Sequence, residues 1–427
     1  MSPSSLGAMA PAPTPEPKLW TRDFTLVTLA TALGAAGAIA GEFALSFFVF
    51  DETGSTLAAA LVIAIQLVPH VFVPLAVSPI MDRLPRKGFL VAGDLACGVA
   101  YAALGVWLAF SGFSYVGYLV ISLLLACLEA VDELAWTSIY PEVIPEGAEQ
   151  KGYAVSGMLY TTLAVVMTPL AAVLLDTIGV ARLLMIQGCL AIAAALIESL
   201  IRVTEHEREK PQDSGIRQWA LDIRETLRWL KGEPGMRGLM GYQAVSNGLY
   251  TGFSPILIAF FRTTPGLSAA MYAFYSVAEF VGRTIGSSIQ YKVKVPERRR
   301  FGLCLFVYVF YDIMDACLLW LPYPLMLANR AMCGFLGSNS LILRESAMQR
   351  YIPERMRSRV NAFTGVYIAA ACCVFSVLVG LLGEVLDYRL CVTACGITGI
   401  VASMVFVWAR RSSVRKVFET GSNDLSS

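Results

Sequence analysis

Apolar residues occur in long runs along this chain, and short polar segments separate one run from the next. A run of about 20 apolar residues in a helix is long enough to cross the ~30 Å hydrocarbon core of a bilayer. We place such runs at residues 24–50, 56–81, 88–110, 114–138, 152–175, 181–203, 237–261, 268–290, 301–321, 324–345, 360–385 and 389–410. The pattern predicts an all-α membrane protein with about twelve transmembrane helices.

The two halves of the sequence resemble each other. Residues 78–83 have an echo at residues 287–292, and Ile144-Pro145-Glu146 recurs as Ile352-Pro353-Glu354. The two offsets, 209 and 208 residues, agree within one residue in a chain of 427. We therefore expect two pseudo-symmetric six-helix bundles, with a binding site between them.

Composition and charge placement support a membrane location and predict its topology. Hydrophobic residues make up 56% of the chain and charged residues 15%, and the mean hydropathy is +0.62. Lysine and arginine gather in alternate polar segments, and the other segments contain only Arg182, Arg262 and Arg389. Basic segments stay on the cytoplasmic side, so both termini should be cytoplasmic in a multi-pass protein of the cell (inner) membrane.

The polar segments divide the chain into five parts. We expect a disordered cytoplasmic N-terminal tail (1–23), an N-terminal bundle (24–203), a cytoplasmic linker (204–236), a C-terminal bundle (237–410) and a cytoplasmic C-terminal tail (411–427). The second part of the linker alternates apolar and charged positions with helical periodicity until Gly232 and Pro234. It predicts an amphipathic helix, which either ties the bundles together or binds a regulator.

The loop after the second run carries a recognisable motif. Ser78-Pro-Ile-Met-Asp82-Arg83-Leu-Pro-Arg86-Lys87-Gly-Phe-Leu90 is similar to the signature G-x-L-x-D-R-x-G-R-[RK]-x-x-L of the major facilitator superfamily, at the same place in the topology. The resemblance implies that Asp82, Arg83, Arg86 and Lys87 form a gating latch between the two halves. A basic cytoplasmic loop after a helix-ending aspartate is the alternative.

Further segments resemble one bacterial branch of that superfamily, the enterobactin-exporter-like and macrolide-efflux-like permeases. They are Thr53-Gly54-Ser55, Gln66, Pro69, Asp94, residues 141–145 and residues 349–360. In the fifth run, Thr168-Pro169-Leu170-Ala171-Ala172 stands where exporters of the superfamily often carry G-P-x-x-G. The proline and small residues are kept and the glycines are not, so this motif favours export only modestly.

Charges within the apolar runs are costly and therefore mark candidate sites. Glu42 lies on the first helix, which lines the cavity in this family, and it could carry a coupling proton, bind a cationic substrate or hydrogen bond to a neighbouring helix. Glu279 is a second candidate for proton coupling. Arg283 follows it by four residues, however, and an ion pair within the helix is the alternative.

Polar residues on the fourth, seventh and tenth helices are candidates for the substrate cavity, because the resemblance places these helices around it. Glu129 and Asp132, with Glu133 nearby, could form an acidic mouth for cationic cargo or simply an interfacial helix end. Arg330 could hold an anionic group or pair with Asp312 and Asp315. The remaining candidates are Gln243, Asn247 and Asn339, for which packing between helices explains the pattern equally well.

These features predict a secondary active transporter, most simply for proton-coupled efflux of a small, partly hydrophobic compound such as a drug, siderophore or metabolite. Import or facilitated movement of a nutrient, siderophore or lysolipid is the alternative, and a non-transporting sensor or scaffold is a remote one. The chain lacks a Walker A sequence, and its ten cysteines show no metal-ligand spacing, so we expect no ATP-binding loop, cofactor or metal. We expect no enzyme activity, because Asp312-x-x-Asp315 has no second aspartate cluster and the two histidines form no catalytic pair. The expected partners are the small-molecule substrate, protons and the lipid bilayer, with no nucleic acid, and we expect a monomer.

Overall fold

The computed structural model describes residues 19–81, 85–145, 148–202, 216–292, 295–353 and 356–419, and the described residues form helices without strands. The helices are α1 (Arg22–Thr53), α2 (Thr56–Met81), α3 (Arg86–Ser111), α4 (Tyr115–Val143), α5 (Glu149–Ser199), α6 (Ile216–Gly232), α7 (Pro234–Thr263), α8 (Ala269–Lys292), α9 (Glu297–Cys317), α10 (Tyr323–Tyr351), α11 (Arg357–Val385), α12 (Tyr388–Ala402) and α13 (Arg411–Glu419). The all-α prediction is therefore confirmed.

Each of the twelve predicted runs falls on a helix of the structure, although the number of membrane spans stays a prediction. Within the described ranges, nine helices are long and apolar enough to cross a membrane. The fifth and sixth runs both lie on α5, which breaks at Gly179, where φ is 79°. Helices α8 and α10 are not among these nine, because the charged residues of α8 and the polar residues of α10 lower their mean hydropathy.

The helices pack as two groups, which we call the N-terminal half (α1–α5) and the C-terminal half (α7–α13). In the first, α5 packs against α1 and α3, and α4 packs against α2 and α3. In the second, α8 packs against α10, α7 against α11, and α9 against α12. The halves meet mainly where α2 packs against α11 and where α5 packs against α8.

Glycines allow helix backbones within each half to approach closely. A Cβ atom on Gly188 of α5 would lie 2.5 Å from the carbonyl oxygen of Gly98 on α3. A Cβ atom on Gly282 of α8 would lie 1.8 Å from the carbonyl oxygen of Ala331 on α10. The small residues of the eighth run therefore serve helix packing.

The predicted linker helix is present as α6, which ends at Gly232 as expected. Leu230 is buried in a hydrophobic cluster with residues of α7, α10 and α13. Arg359 of α11 donates a hydrogen bond to Glu225 at 3.0 Å. The end of α6 thus packs on the C-terminal half, and its contact with a membrane surface stays a prediction.

Candidate binding cavity

A cavity of about 920 Å³ lies among the helices of the N-terminal half and extends to α7. The wall from the N-terminal half carries most of the polar side chains, and α7 adds Tyr250, Thr251 and Ser254. Apolar residues such as Leu45, Val62 and Ile258 complete the lining. The volume and the mixed wall suit a small organic molecule.

Six carboxyl side chains line this cavity, and the described lining contains no lysine or arginine. They are Glu42, Asp94, Glu129, Asp132, Glu133 and Glu198. His70 is the basic side chain among the described lining residues. Because like charges in a concave site of low dielectric reinforce one another, the cavity should attract cations and repel anions.

Glu42 and Glu129 form one part of this acidic wall. Glu42 is exposed to the cavity, and His70 lies close enough to both carboxyl groups to interact with them electrostatically. The hydroxyl of Tyr101 donates a hydrogen bond to the Glu129 carboxylate. These contacts orient Glu129 while leaving Glu42 free to meet a ligand.

Gln187 borders this part of the cavity from α5. Its side chain is buried, with 4% of its surface exposed, and its Oε1 atom has no hydrogen-bond donor among the described residues. A Cβ atom on Gly41 would lie 1.6 Å from that Oε1, so the glycine makes room for the amide. Gln187 therefore packs its amide against Gly41, the residue before Glu42, and lines the same cavity.

Asp94, Asp132 and Glu198 form a second group, which we call the carboxyl cluster. They come from α3, α4 and α5, and the Asp94 side chain lies within hydrogen-bonding reach of both other carboxyl groups. Asp132 packs against Gly93, where a Cβ atom would lie 2.6 Å from Asp132 Oδ1. The glycine thus permits α4 to present Asp132 beside α3.

The two halves contact each other at the end where α1 ends and α2 begins, which we call the closed end. The Glu384 carboxylate of α11 accepts hydrogen bonds from the hydroxyl of Ser55 at 2.7 Å and the backbone N–H of Leu57 at 2.9 Å. Arg262 of α7 forms an ion pair with Asp51 of α1 at 2.7 Å. Polar contacts of this kind can break and re-form as two halves move.

The C-terminal half contains a separate charged network beside a smaller cavity of about 270 Å³. Arg330 is buried and pairs with Glu279 at 2.6 Å and with Asp315 at 3.3 Å. Arg283 pairs with the other oxygen of Glu279 at 2.5 Å. Tyr250 lines both cavities, and its ring lies 5.4 Å from the Arg330 guanidinium.

The structure separates the other predicted site residues. Glu42, Glu129 and Asp132 line the main cavity, whereas Asn247 lines the smaller one. Gln243 donates a hydrogen bond to Glu345 at 2.6 Å, and Asn339 donates one to the carbonyl of its own helix at Phe335. Gln243, Arg330 and Asn339 are therefore engaged in packing contacts in this conformation.

Two of the four predicted gating residues can be placed. Arg86 forms an ion pair with Glu142 of α4 at 2.6 Å. The Lys87 ammonium donates to the carbonyl oxygens of Ser199 and Ile201, both at 2.7 Å. Asp82 and Arg83 lie outside the described residues, and the latch stays a prediction.

Sequence reasoning missed the chemical role of several cavity residues. In the sequence, Asp94 was noted only as part of the family resemblance. Glu198 lies near the end of a predicted helix, where a charged residue is common and does not by itself indicate a site. Gln187 and His70 are single polar residues in apolar runs. Their shared signal is a polar side chain within a predicted span, which marks a site only when the facing helices are known.

Comparisons with known proteins agree on one family. The family model described as Major Facilitator Superfamily matches residues 24–314. The multidrug efflux pump Tap of Mycolicibacterium fortuitum is 22% identical over 394 residues, which cover 90% of this chain and 95% of that protein.

Solved transporter structures share the fold. A POT family transporter in complex with 5-aminolevulinic acid has a TM-score of 0.72 at 9% identity, covering 92% of this chain and 96% of the other. The nucleoside transporter NupG has a TM-score of 0.63 at 9% identity, covering 90% of this chain and 98% of the other.

Proposed function

This chain belongs to the Major Facilitator Superfamily, and from that premise we propose that it exports a small, partly hydrophobic organic cation in exchange for protons. It is a multi-pass membrane transport protein and not an enzyme. Export is supported by the distant likeness to a multidrug efflux pump, and alternating access by the two-halved architecture.

The acidic wall of the main cavity carries the proposal of a cationic cargo. Six carboxyl groups face one cavity, and its described lining supplies no lysine or arginine to neutralise them. Leaving such groups without a positive partner in a membrane is unfavourable, so a bound cation or bound protons must balance their charge. A site that accepts either one is suited to exchange of the two.

Glu42 is the residue we expect to meet the cation first. It is exposed and lines the main cavity. Glu129 stands nearby and is held by Tyr101. The prediction that Glu42 itself couples protons stays open, because one carboxylate can bind a cation or a proton at the same place.

Glu279 is better suited to a structural role. Its two carboxylate oxygens are each engaged by an arginine, Arg283 at 2.5 Å and Arg330 at 2.6 Å. Because Arg330 belongs to α10, we expect Glu279 to hold α8 against α10.

Transport proceeds by rocking of the two halves around the cavity. With both termini cytoplasmic, the closed end faces the exterior, and cargo enters from the cytoplasm. Exchange of one proton for one monovalent cation moves no net charge, so the pH difference supplies the driving force: each pH unit is worth ~1.4 kcal/mol and sustains a roughly tenfold cargo gradient. Proton exchange is thus sufficient to drive export.

The experiment uses inside-out vesicles with an acidic interior and a quenched pH dye. Ethidium and other lipophilic cations should cause dequenching that depends on the protein. Macrolides, siderophores and lysolipids should cause less dequenching. The double variant Glu42→Gln with Glu129→Gln should lose this response. Glu52→Gln, at an exposed carboxylate outside the cavity lining, should keep it.

Each result has a defined meaning. Dequenching equal to that of empty-vector vesicles would contradict proton-coupled export of these cations. Cation movement in the same direction as the protons would indicate import instead.

A further inference from the structure

The carboxyl cluster lies in the main cavity but has no counter-cation among the described residues. Asp94 lies within hydrogen-bonding reach of Asp132 and Glu198, and the three groups come from three different helices. Glu198 is almost completely buried, with 2% of its surface exposed. All three side chains line the cavity. The cluster is therefore both shielded from bulk water and in contact with the space that cargo would occupy.

The groups around the cluster do not supply the missing positive charge. The ionisable side chains that interact with it are Glu129 and Glu133 of α4, Cys97 of α3 and Tyr160 of α5. All are acidic or neutral, and the nearby Lys87 ammonium donates to the backbone carbonyls of Ser199 and Ile201. On α2, His70 interacts with Glu42 and Glu129, and on α1 the ionisable lining group is Glu42 itself.

Two acceptor atoms of the cluster lack a donor. Asp132 Oδ1 and Glu198 Oε2 are buried and receive no hydrogen bond from an N–H or O–H group of the described residues. A buried acceptor without a donor destabilises the protein, and more so when it is charged. A ligand that brings a hydrogen atom and a positive charge would satisfy these atoms.

The simplest such ligand is a proton. Two carboxyl groups can form a hydrogen bond to each other only when one of them is protonated. Asp94 approaches both neighbours, so protons on the cluster convert two repulsive contacts into hydrogen bonds. The same acceptors can instead receive N–H groups of an organic cation, which then releases the protons to the water of the cavity.

We propose that Asp94, Asp132 and Glu198 form the proton-binding site of this transporter, and that a bound organic cation displaces their protons. The proposal deepens the function proposed above and rests on it for the identity of the cargo. It assigns the proton to the cluster and the first contact with cargo to Glu42. Because protons and the cation compete for the same acceptor atoms, the proton flux and the cation flux are coupled.

Infrared spectroscopy of the purified protein tests the proton site without any cargo. The C=O stretch of protonated carboxyl groups, followed as a function of pH, should contain a component that is lost in Asp94→Asn and in Glu198→Gln. Glu52→Gln should retain that component. Asp132→Asn provides a third variant if one of the others fails to fold. An unchanged band in every folded cluster variant would overturn the proposal.

Ethidium binding tests the competition. In weakly buffered solution, ethidium should release about one proton per molecule bound, and its affinity should rise about tenfold per pH unit in the range where the cluster titrates. In Glu198→Gln, proton release should fall and the pH dependence of binding should flatten. Proton release equal to wild type in all cluster variants would overturn the displacement step.

The two measurements separate the failure of this proposal from that of the proposed function. If the wild type binds no ethidium, the cationic cargo is contradicted, and the infrared band still decides whether the cluster holds protons. If ethidium binds but the cluster variants match the wild type in both measurements, the cluster is not the proton site.

Discussion

Gly380 of α11 offers a direct test of how the two halves close. A Cβ atom on this residue would lie 2.5 Å from the Cβ of Ala60 and 3.2 Å from the backbone oxygen of Thr56, both on α2. Neither atom belongs to the end of a flexible side chain, so the helices must move apart to accept a methyl group. We therefore expect Gly380→Ala to destabilise the conformation in which the two halves are in contact at the closed end.

The magnitude follows from overpacking. Inserting a methylene-sized group into a tightly packed contact costs about 1–3 kcal/mol. Because the contact joins the two halves, the cost falls on the closed conformation and not on one in which the halves have separated at this end. A difference of about 1–3 kcal/mol shifts the equilibrium roughly 5- to 150-fold towards opening.

The backbone amide of Leu57 reports this equilibrium. It lies in the first turn of α2, where an N–H has no acceptor within the helix, and it donates instead to Glu384 across the interface at 2.9 Å. In Gly380→Ala, hydrogen exchange of this amide should be roughly 5- to 150-fold faster than in the wild type.

Gly365→Ala is the matched control, because Gly365 lies on the same helix and a Cβ atom there would meet no atom within 4 Å. It carries the same gain in helix propensity without the contact. Equal exchange at Leu57 in the two variants would refute the reasoning, and so would exchange in Gly380→Ala no faster than in the wild type.

Three further predictions concern charge and packing. Glu42→Gln removes the cavity carboxylate that we expect to meet the cargo first, so it should weaken ethidium binding and uptake in proteoliposomes and leave the proton release per bound ethidium as in the wild type. Ethidium affinity equal to wild type would contradict this role of Glu42. Arg330→Met leaves Glu279 and Asp315 without their shared cation and should lower stability by about 3–5 kcal/mol in thermal unfolding. An unchanged midpoint would show that the network contributes little. Gly188→Val places side-chain atoms against a backbone carbonyl of α3, where the Cβ alone would approach to 2.5 Å, and should greatly reduce the yield of folded protein in size-exclusion chromatography. Wild-type yield would contradict the close packing of α3 and α5.

The helices were predictable because the signal that forms them is local. Runs of about 20 apolar residues and basic loops require no knowledge of neighbouring helices. The break between the fifth and sixth runs was predicted at residues 176–180, and the structure has it at Gly179. The amphipathic linker helix was predictable because its polar and apolar faces differ strongly.

The site was predictable only in part. Glu42, Glu129 and Asp132 are charges within apolar runs, and the structure places all three at the main cavity. The same argument also selected Arg330, which the structure buries among carboxylates of the C-terminal half. Burial by lipid and burial by protein leave similar apolar patterns in a membrane helix, so the sequence alone does not tell which face meets the cavity.

The carboxyl cluster depends on contacts between helices that are far apart in sequence. Asp94 and Glu198 meet only because α3 and α5 pack closely, at glycines that face each other's backbone. A pair of residues separated by 104 positions has no local signature. Such a site becomes visible when the packing partners are known.

Among the described residues, the cavity has its carboxyl groups on one half and the hydroxyls of Tyr250, Thr251 and Ser254 on the other. This division places the charged groups and the α7 hydroxyl groups of the cavity on different halves of the protein. Replacing the three hydroxyl residues offers a route to a new cargo preference while the wall that holds charge stays intact. In the main cavity, the N-terminal half thus carries the charge chemistry, and α7 offers positions at which cargo preference can be changed.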